Sequence, residues 1–498
     1  MKHALLVSVF VLATCGLVYE LIAGAAASYL LGDSVTQFST IIGAYLFSMG
    51  IGSWLSRYVG RGLIARFIQI EILVGVVGGL SSTILFVAFG QLPAFRLILY
   101  AVVALIGIGV GMEIPLLLRI LKDQLQFKDL VAQVLSLDYV GALAASILFP
   151  IWLVPHLGLI RTSFLFGIAN IGVALWTTWL FREHLPAARF FRVQGAAALV
   201  LLAAGFAGSA AISDFAEEGL YADEIIFFRT TAYQKIVVTR EADDVRLYLN
   251  GHLQFSSRDE YRYHEALVHP GLAAVADPGR VLVLGGGDGL AVREILKDPR
   301  VREVRLVDLD PEMTRIFRDH ASLSQLNGGA LRSPKLRVTN ADAFLWLEEA
   351  GDRYDFVVVD FPDPTNYSLS KLYTTSFYRR LARRLAEGGI AVIQSTSPLF
   401  ARKSFWCIAE TVRAAGLQAA PYHVYVPSFG EWGFVLASRE AYRPPERFPE
   451  GLRFVSAATS RSFFEFPPDM APVPVEANRL NHQVLVQYYD SEWKTINP

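Results

Sequence analysis

Sulfur ligands, surplus charge and polar bulk are what this chain of 498 residues lacks. Its two cysteines, Cys15 and Cys407, are separated by most of the chain. They offer neither a metal knuckle nor a disulfide framework, so no metal site is expected. With 45 Lys and Arg against 46 Asp and Glu, the formal net charge is -1. That balance gives no electrostatic reason to expect nucleic acid or a broadly acidic partner. Charged residues make up 18% and hydrophobic residues 53%, which is too apolar for an ordinary soluble enzyme and points to a membrane portion.

The apolar surplus lies before about Ser213. Stretches of spanning length alternate there with short polar loops, predicting seven helices near 4–31, 38–56, 67–90, 97–121, 132–154, 162–181 and 194–213, each close to the ~20 residues a bilayer core requires. The first apolar run continues well past Thr14-Cys15, so an uncleaved helix is expected rather than a signal peptide. Positive charge gathers in alternate loops: Arg57, Arg61 and Arg66; Arg119, Lys122 and Lys128; Arg182, Arg189 and Arg192. Such loops stay cytoplasmic, together with the N-terminus, and seven crossings leave the C-terminal half outside. The acidic run Asp214, Glu217, Glu218, Asp223 and Glu224 follows the last helix. Four carboxylates, Glu20, Glu71, Glu113 and Asp138, fall inside the spans. They mark either a cation path or groups hydrogen-bonded between helices. Gly43, Gly50, Gly52 and Ser53, and Gly107, Gly109 and Gly111, read as small faces for close helix packing.

Past this half the period changes to two. Tyr233 to Thr239, Arg246 to Leu249 and Leu253 to Phe255, with Asn250-Gly251 as a tight turn, predict a small antiparallel domain. Asp259-Glu260 opens a helix carrying Tyr263, His264 and Glu265 as a candidate substrate-facing rim. Strands at 281–284, 304–309, 336–339, 355–360 and 390–394 then alternate with helical segments, which implies a mainly parallel, Rossmann-like sheet binding ligand at its strand C-terminal ends. The domains are therefore 1–213, transmembrane and helical; 214–260, linker and small β domain; and 261–498, a Rossmann-like catalytic domain with a C-terminal tail.

The first of those strands ends in Gly285-Gly286-Gly287-Asp288-Gly289 and runs into a helix. Gly285, Gly287 and Gly289 let the backbone turn tightly and approach a nucleoside, and Asp308, at the end of the next strand, is placed to take ribose hydroxyls. Asp288 would repel a dinucleotide's pyrophosphate but suits a nucleoside bearing positive charge, as S-adenosylmethionine and its decarboxylated form both do. Asp342 follows the third strand, where a carboxylate could accept from an adenine amino group. Asp360 and Asp363 flank a turn stiffened by Pro362 and Pro364, so two carboxylates can face one pocket.

Assembled, these residues resemble a polyamine aminopropyltransferase of the spermidine synthase family, in its membrane-fused bacterial form. The resemblance is carried by Tyr233-Gln234, Gly251 to Gln254, Asp259-Glu260, Tyr263-His264-Glu265, Gly285 to Gly289, Asp308, Ala341-Asp342-Ala343, Asp360 to Pro364, Leu372-Tyr373, Phe377-Tyr378 and Gln394, with Gly16 to Glu20 and Val475 to Asn481 similar to the membrane-fused kind. It implies transfer of the aminopropyl group of decarboxylated S-adenosylmethionine, a co-substrate and not a prosthetic group, to a diamine such as putrescine. Asp288 would hold the aminopropyl ammonium, Asp308 the ribose and Asp342 the adenine, with Gln234 and Gln254 nearby. Asp360 would be the general base; Asp363, Tyr263 and Gln394 would position the diamine, with His264 beside them. The resemblance also implies a homo-oligomer in the cell membrane. Its substrates are made in the cytoplasm, which opposes the placement the basic loops give. Phe361-Pro362 stands where soluble members have small polar residues, and Asp308 where they have Glu. The rival readings are an S-adenosylmethionine-dependent methyltransferase, and a membrane polyamine transporter or sensor with a non-catalytic synthase-like domain.

Overall fold

A computed structural model describes residues 2–31, 34–91, 94–122, 127–185, 188–212, 223–231, 233–349 and 351–493. The chain divides into two units, Met1–Ala222 and Asp223–Pro498. The expected acidic positions Asp214, Glu217 and Glu218 lie outside the described residues.

The first unit is built of α1 (Lys2–Leu31), α2 (Ser34–Leu55), α3 (Leu63–Gln91), α4 (Phe95–Leu121), α5 (Phe127–Leu148), α6 (Val154–Leu180) and α7 (Ala188–Ala207). Among the described residues six stretches are long and apolar enough to cross a membrane, because Asp129–Leu180 runs as one stretch of 52 residues. Inside it a π-helical turn, Phe149–Leu153, joins α5 to α6. Pro150 there removes a helical N–H, and Gly158 leaves the helical region at φ 72°, ψ 176°. α7 starts six residues before the expected 194 because Arg192 is tied into it, its guanidinium donating to Thr178 O of α6 at 3.2 Å. Only part of the expected small-residue stripe serves packing. A Cβ on Gly52 or Gly111 would fall on the α4 or α2 backbone, whereas Gly43 and Gly50 face open space. Arg119 donates to the carbonyls of Ser56 and Val59 at 3.0 and 2.6 Å, satisfying acceptors just past the end of α2.

The second unit begins with an antiparallel sheet in the order β1 (Glu224–Thr230), β2 (Lys235–Glu241), β3 (Asp244–Leu249), β4 (His252–Ser256). β1 was not foreseen; its Ile225-Ile226-Phe227-Phe228 run pairs with β2 through a register shift. Seven further strands are β5 (Arg280–Gly285), β6 (Glu303–Asp308), β7 (Leu336–Asn340), β8 (Tyr354–Asp360), β9 (Leu385–Gln394), β10 (Gln418–Val426) and β11 (Gly430–Ser438). They form one sheet ordered β10-β11-β9-β8-β5-β6-β7. The five strands expected to be parallel are so, but β11 runs antiparallel to β9 and to β10, making the sheet mixed. The cause is a tight Pro427 to Gly430 connection, with Gly430 at φ 78°, which can join only antiparallel neighbours.

Alternate residues of each strand feed opposite cores. Val281, Val283, Val304, Leu306 and Val358 bury on one face against the helices Glu260–Leu272 and Leu290–Ile295. Leu282, Leu284, Val307, Val357 and Val359 bury on the other against Thr375–Arg384 and Arg402–Ala414. Strands apolar on both faces are what a helix-covered parallel sheet requires. Each side chain so buried contributes about 1.5–3 kcal/mol.

Candidate active site

Strand order reverses at β5. β6 and β7 follow on one side, and β8 and β9 return on the other. In open sheets of this kind ligands bind where the connections diverge, at the strand C-terminal ends. β5 pairs with β8 so that Gly285 lies opposite Asp360, bringing the glycine turn and the first acid of the Asp360/Asp363 pair to one spot. Gly286 N–H donates to Asp360 O at 3.2 Å. Gly285 has φ 79°, and a Cβ there would collide with the Asp360 carbonyl. A Cβ on Gly287 would sit 2.6 Å from Asp308 Oδ2. The turn therefore needs glycine both for its left-handed backbone and for the closeness of two acidic strand ends.

Three carboxylates, Asp288, Asp308 and Asp360, surround this turn, and a fourth, Asp363, follows Asp360 in the chain. Asp308 accepts the N–H of Gly287 on Oδ2 at 3.0 Å and that of Asp310 on Oδ1 at 2.8 Å. Burial lifts its pKa to about 7, with Asp310 and Asp288 adding to the rise. Asp288 accepts the Leu290 N–H at 2.8 Å, at the start of the helix Leu290–Ile295. Burial raises its pKa to about 6, against the pull of His264. Asp360 accepts from Tyr263 OH on Oδ1 at 2.6 Å, while its Oδ2 lies 3.2 Å from where a Cβ on Gly286 would be, facing the turn. Burial raises its pKa, and His264 and Tyr263 oppose the rise. Asp363 is held by Gln394 Nε2 at 2.8 Å, Thr396 Oγ1 at 2.9 Å and Tyr489 OH at 3.0 Å; burial raises it too. Among the described residues, none of the four forms an ion pair with Lys or Arg. Desolvated acids without a cation partner are costly unless a cationic ligand answers them.

The helix Glu260–Leu272 supplies the opposite wall. His264 Nδ1 lies 2.9 Å from Glu260 Oε2, and Arg293 grips both Glu260 oxygens at 2.9 and 2.8 Å. Burial works against a charged His264, yet Glu260, with Asp288 and Asp360, more than offsets it and raises the imidazole pKa. Of the expected rim, Tyr263 and His264 face the acids. Glu265 does not: it is fully buried and accepts the N–H groups of Arg453, Phe454 and Val455 at 2.8, 2.8 and 3.0 Å, so it pins the tail.

Other expected residues are more loosely gathered. Gln234 Nε2 donates to Asp310 Oδ2 at 3.1 Å and so reaches Asp308 only through its neighbour. Gln254 bonds the His252 carbonyl. Asp342 accepts the Phe344 N–H and pairs with Lys371 Nζ at 2.6 Å, unlike the four uncompensated acids. Tyr489, Thr396 and Lys371 join the site without any sequence motif that marks them. Thr396 takes φ 55° beside Gln394, a turn no local motif announces, and Tyr489 comes from the tail helix Val484–Trp493. That tail is strapped down by Asn478, whose side-chain amide donates to Ser370 O and Tyr373 O at 3.1 Å each and accepts from Leu485 N.

Residues 260–446 match the spermine/spermidine synthase domain family. Over 496 residues, 100% of both chains, the sequence is 57% identical to the polyamine aminopropyltransferase of Leptospira interrogans. The chain belongs to the polyamine aminopropyltransferase family. It is also 55% identical to polyamine aminopropyltransferase 2 of Ralstonia nicotianae, over 99% of both chains. With polyamine aminopropyltransferase 1 of Streptomyces coelicolor it shares 41% over 99% of this chain and 95% of that one. These polyamine aminopropyltransferases match through the helical unit and through the tail that carries Tyr489, both beyond the synthase domain proper.

Proposed function

We propose that the chain transfers the aminopropyl group of decarboxylated S-adenosylmethionine to a diamine of the putrescine class, releasing methylthioadenosine. The observation that carries this reading is the set of four desolvated carboxylates, Asp288, Asp308 and Asp360 around the glycine turn and Asp363 three residues beyond Asp360, without a basic side chain bonded to any of them among the described residues. Donor and acceptor are both cations. A site for S-adenosylmethionine itself would need a cation for the α-carboxylate, and this ring offers acids instead.

In this reading Asp308 takes the ribose, Asp288 the aminopropyl ammonium, and Asp342 lies toward the adenine, oriented by Lys371. Gly285, Gly287 and Gly289 let the nucleoside lie close to the backbone. Gln234 steadies the ribose side through Asp310. Asp363, set by Gln394, Thr396 and Tyr489, holds the far ammonium of the diamine.

An alkyl ammonium has a pKa near ~10, so its lone pair is blocked at neutral pH. Desolvation in the crevice weakens that hold, and Asp360 Oδ2 takes the proton while Tyr263 keeps Oδ1 in place. The freed nitrogen attacks the methylene carbon beside the sulfonium, the carbon–sulfur bond breaks, and its electron pair leaves with neutral methylthioadenosine. Positive charge moves from sulfur to nitrogen, toward the acids that stabilise it. Proton removal by a positioned base is worth ~10²–10⁴-fold, with alignment of the two reactants adding more.

The helical unit is proposed to anchor the enzyme in the cell membrane as a multi-pass segment, on the strength of its apolar helices and of the clustered basic loops. Assembly as a homo-oligomer is part of the same reading, tested by sedimentation in detergent.

The functional test is mass spectrometry of products from the purified full chain given each donor and a panel of amines. Methylthioadenosine and an extended amine are expected with the decarboxylated donor, and Asp360→Asn should abolish turnover while donor binding persists. S-adenosylhomocysteine from S-adenosylmethionine would make the protein a methyltransferase. Saturable amine binding with no product would make it a sensor. Protease protection in sealed vesicles reads which side the second unit occupies.

A further inference from the structure

The helical unit contains polar atoms that its own hydrogen bonds leave unanswered. Glu71 of α3 is fully buried, and Asn170 of α6 is 1% exposed. The Asn170 amide spends its Nδ2 on Glu71, donating to the backbone O and to Oε2, both at 2.9 Å. Among the described residues, Glu71 Oε1 and Asn170 Oδ1 have no hydrogen-bond partner. Both are acceptors, and a pair of buried acceptors is missing a donor. Among the described residues no Lys, Arg or His forms an ion pair with Glu71.

The surroundings make a bare charge worse. From α1, Cys15 and Tyr19 lie in the electrostatic neighbourhood of Glu71, as does Glu113 from α4, itself 4% exposed. The Tyr19 ring stands over Gly78 of α3, where a Cβ would come within 2.5 Å of it, and its hydroxyl also lacks a partner. α7 meets α3 through Leu202 against Gly79. Among the described residues of these elements no positive charge reaches Glu71, while a second acid does. Two carboxylates in such a setting cannot both ionise cheaply. A hydrated metal ion or an amine needs space that a fully buried carboxyl does not have. A proton needs none.

We propose that Glu71 is a proton-binding site of the N-terminal unit, with the proton carried on Oε1 and shared toward Asn170 Oδ1. Acid and amide then form a reciprocal pair: the amide donates to one carboxyl oxygen and the other oxygen donates back. The only change is Glu71 carboxylate plus a proton giving the carboxylic acid. This activity is separate from aminopropyl transfer and does not rest on that assignment. It gives the helical unit a chargeable centre that Glu113 is placed to influence, since a charge on one acid disfavours a charge on the other.

The test is infrared spectroscopy of the full chain in lipid nanodiscs, in H2O and D2O. A protonated-carboxyl band is expected at neutral pH. It should shift in D2O and be lost in Glu71→Gln. That variant replaces the proton with an amide N–H, so it should keep its thermal stability and its transferase turnover. A second variant, Asn170→Leu, keeps the acid but removes its partner, and should move the band toward that of a carboxyl free of hydrogen bonds. A neutral-pH spectrum with no band lost in Glu71→Gln would overturn the proposal. So would a band that Asn170→Leu leaves in place.

Discussion

Removing one oxygen atom from the tail separates substrate positioning from chemistry. Tyr489 OH is one of three donors on Asp363, with Gln394 and Thr396. Tyr489→Phe leaves the ring and its contact with Trp493 but withdraws that donor. A hydrogen bond to a charged group is worth about 1.5–3 kcal/mol. The low end applies because Tyr489 is only half-buried and two donors remain. About 1.5 kcal/mol corresponds to roughly tenfold in affinity and to about one unit of pKa. Burial already raises Asp363, and Tyr489 is among the groups that hold it down. Losing it raises Asp363 further, so less of it is ionised on the acidic side. The expected result is about a tenfold higher KM for the diamine, an acid limb of kcat/KM moved upward by about one unit, and kcat at saturating amine nearly unchanged. The assay is methylthioadenosine release against amine concentration across pH. A tenfold fall in kcat at constant KM, or a stationary acid limb, would refute the positioning role.

Gly287→Ala puts a methyl group 2.6 Å from Asp308 Oδ2, a strain of about 1–3 kcal/mol; calorimetry should show donor binding weakened tenfold or more, and unchanged affinity would contradict the placement of the ribose. Asp288 and Asp308 have pKa values raised to about 6 and about 7. For acids raised in the fold, the stability they lend is fully present below the unfolded value of about 4 and is lost as pH climbs through the folded ones. A saturating diamine with donor should therefore raise Tm more at pH 8 than at pH 5, and equal gains would count against the cluster as a cation site. Glu260→Gln breaks the buried pairing with Arg293 and His264, at a cost of about 3–5 kcal/mol. The raised His264 pKa lends stability below its unfolded value of about 6.5, lost as pH rises through the folded one. Denaturant melts should show that dependence flatten in the variant, and an unchanged slope would remove Glu260 as its cause.

What the sequence disclosed follows the range of each interaction. The glycine turn, Asp308 and Asp360 were legible because glycine and strand-end acids act through the local backbone. Their convergence was legible because strand alternation dictates a switch point. The seven helices came from length and hydropathy alone, but the α5–α6 joint did not, since it depends on how Pro150 and Gly158 are accommodated within an apolar run. Lys371 meets Asp342 across 29 residues, and Glu265 meets the segment at Phe454 across 189; no periodicity reports such pairs. The antiparallel end of the sheet was equally silent, because β10 and β11 have the apolar composition of any buried strand.

The strap formed by Asn478 and the helix beyond it has a consequence for biogenesis. A ribosome delivers Tyr489 126 residues after Asp363, when the strands that frame the crevice have already emerged. The nascent chain can thus assemble its sheet while Asp363 still lacks one of its three hydrogen-bond donors. The same helix seats Val484 and Leu485 in the core, so a message truncated shortly before Val484 would lose a donor on Asp363 and part of the packing beneath it in one step.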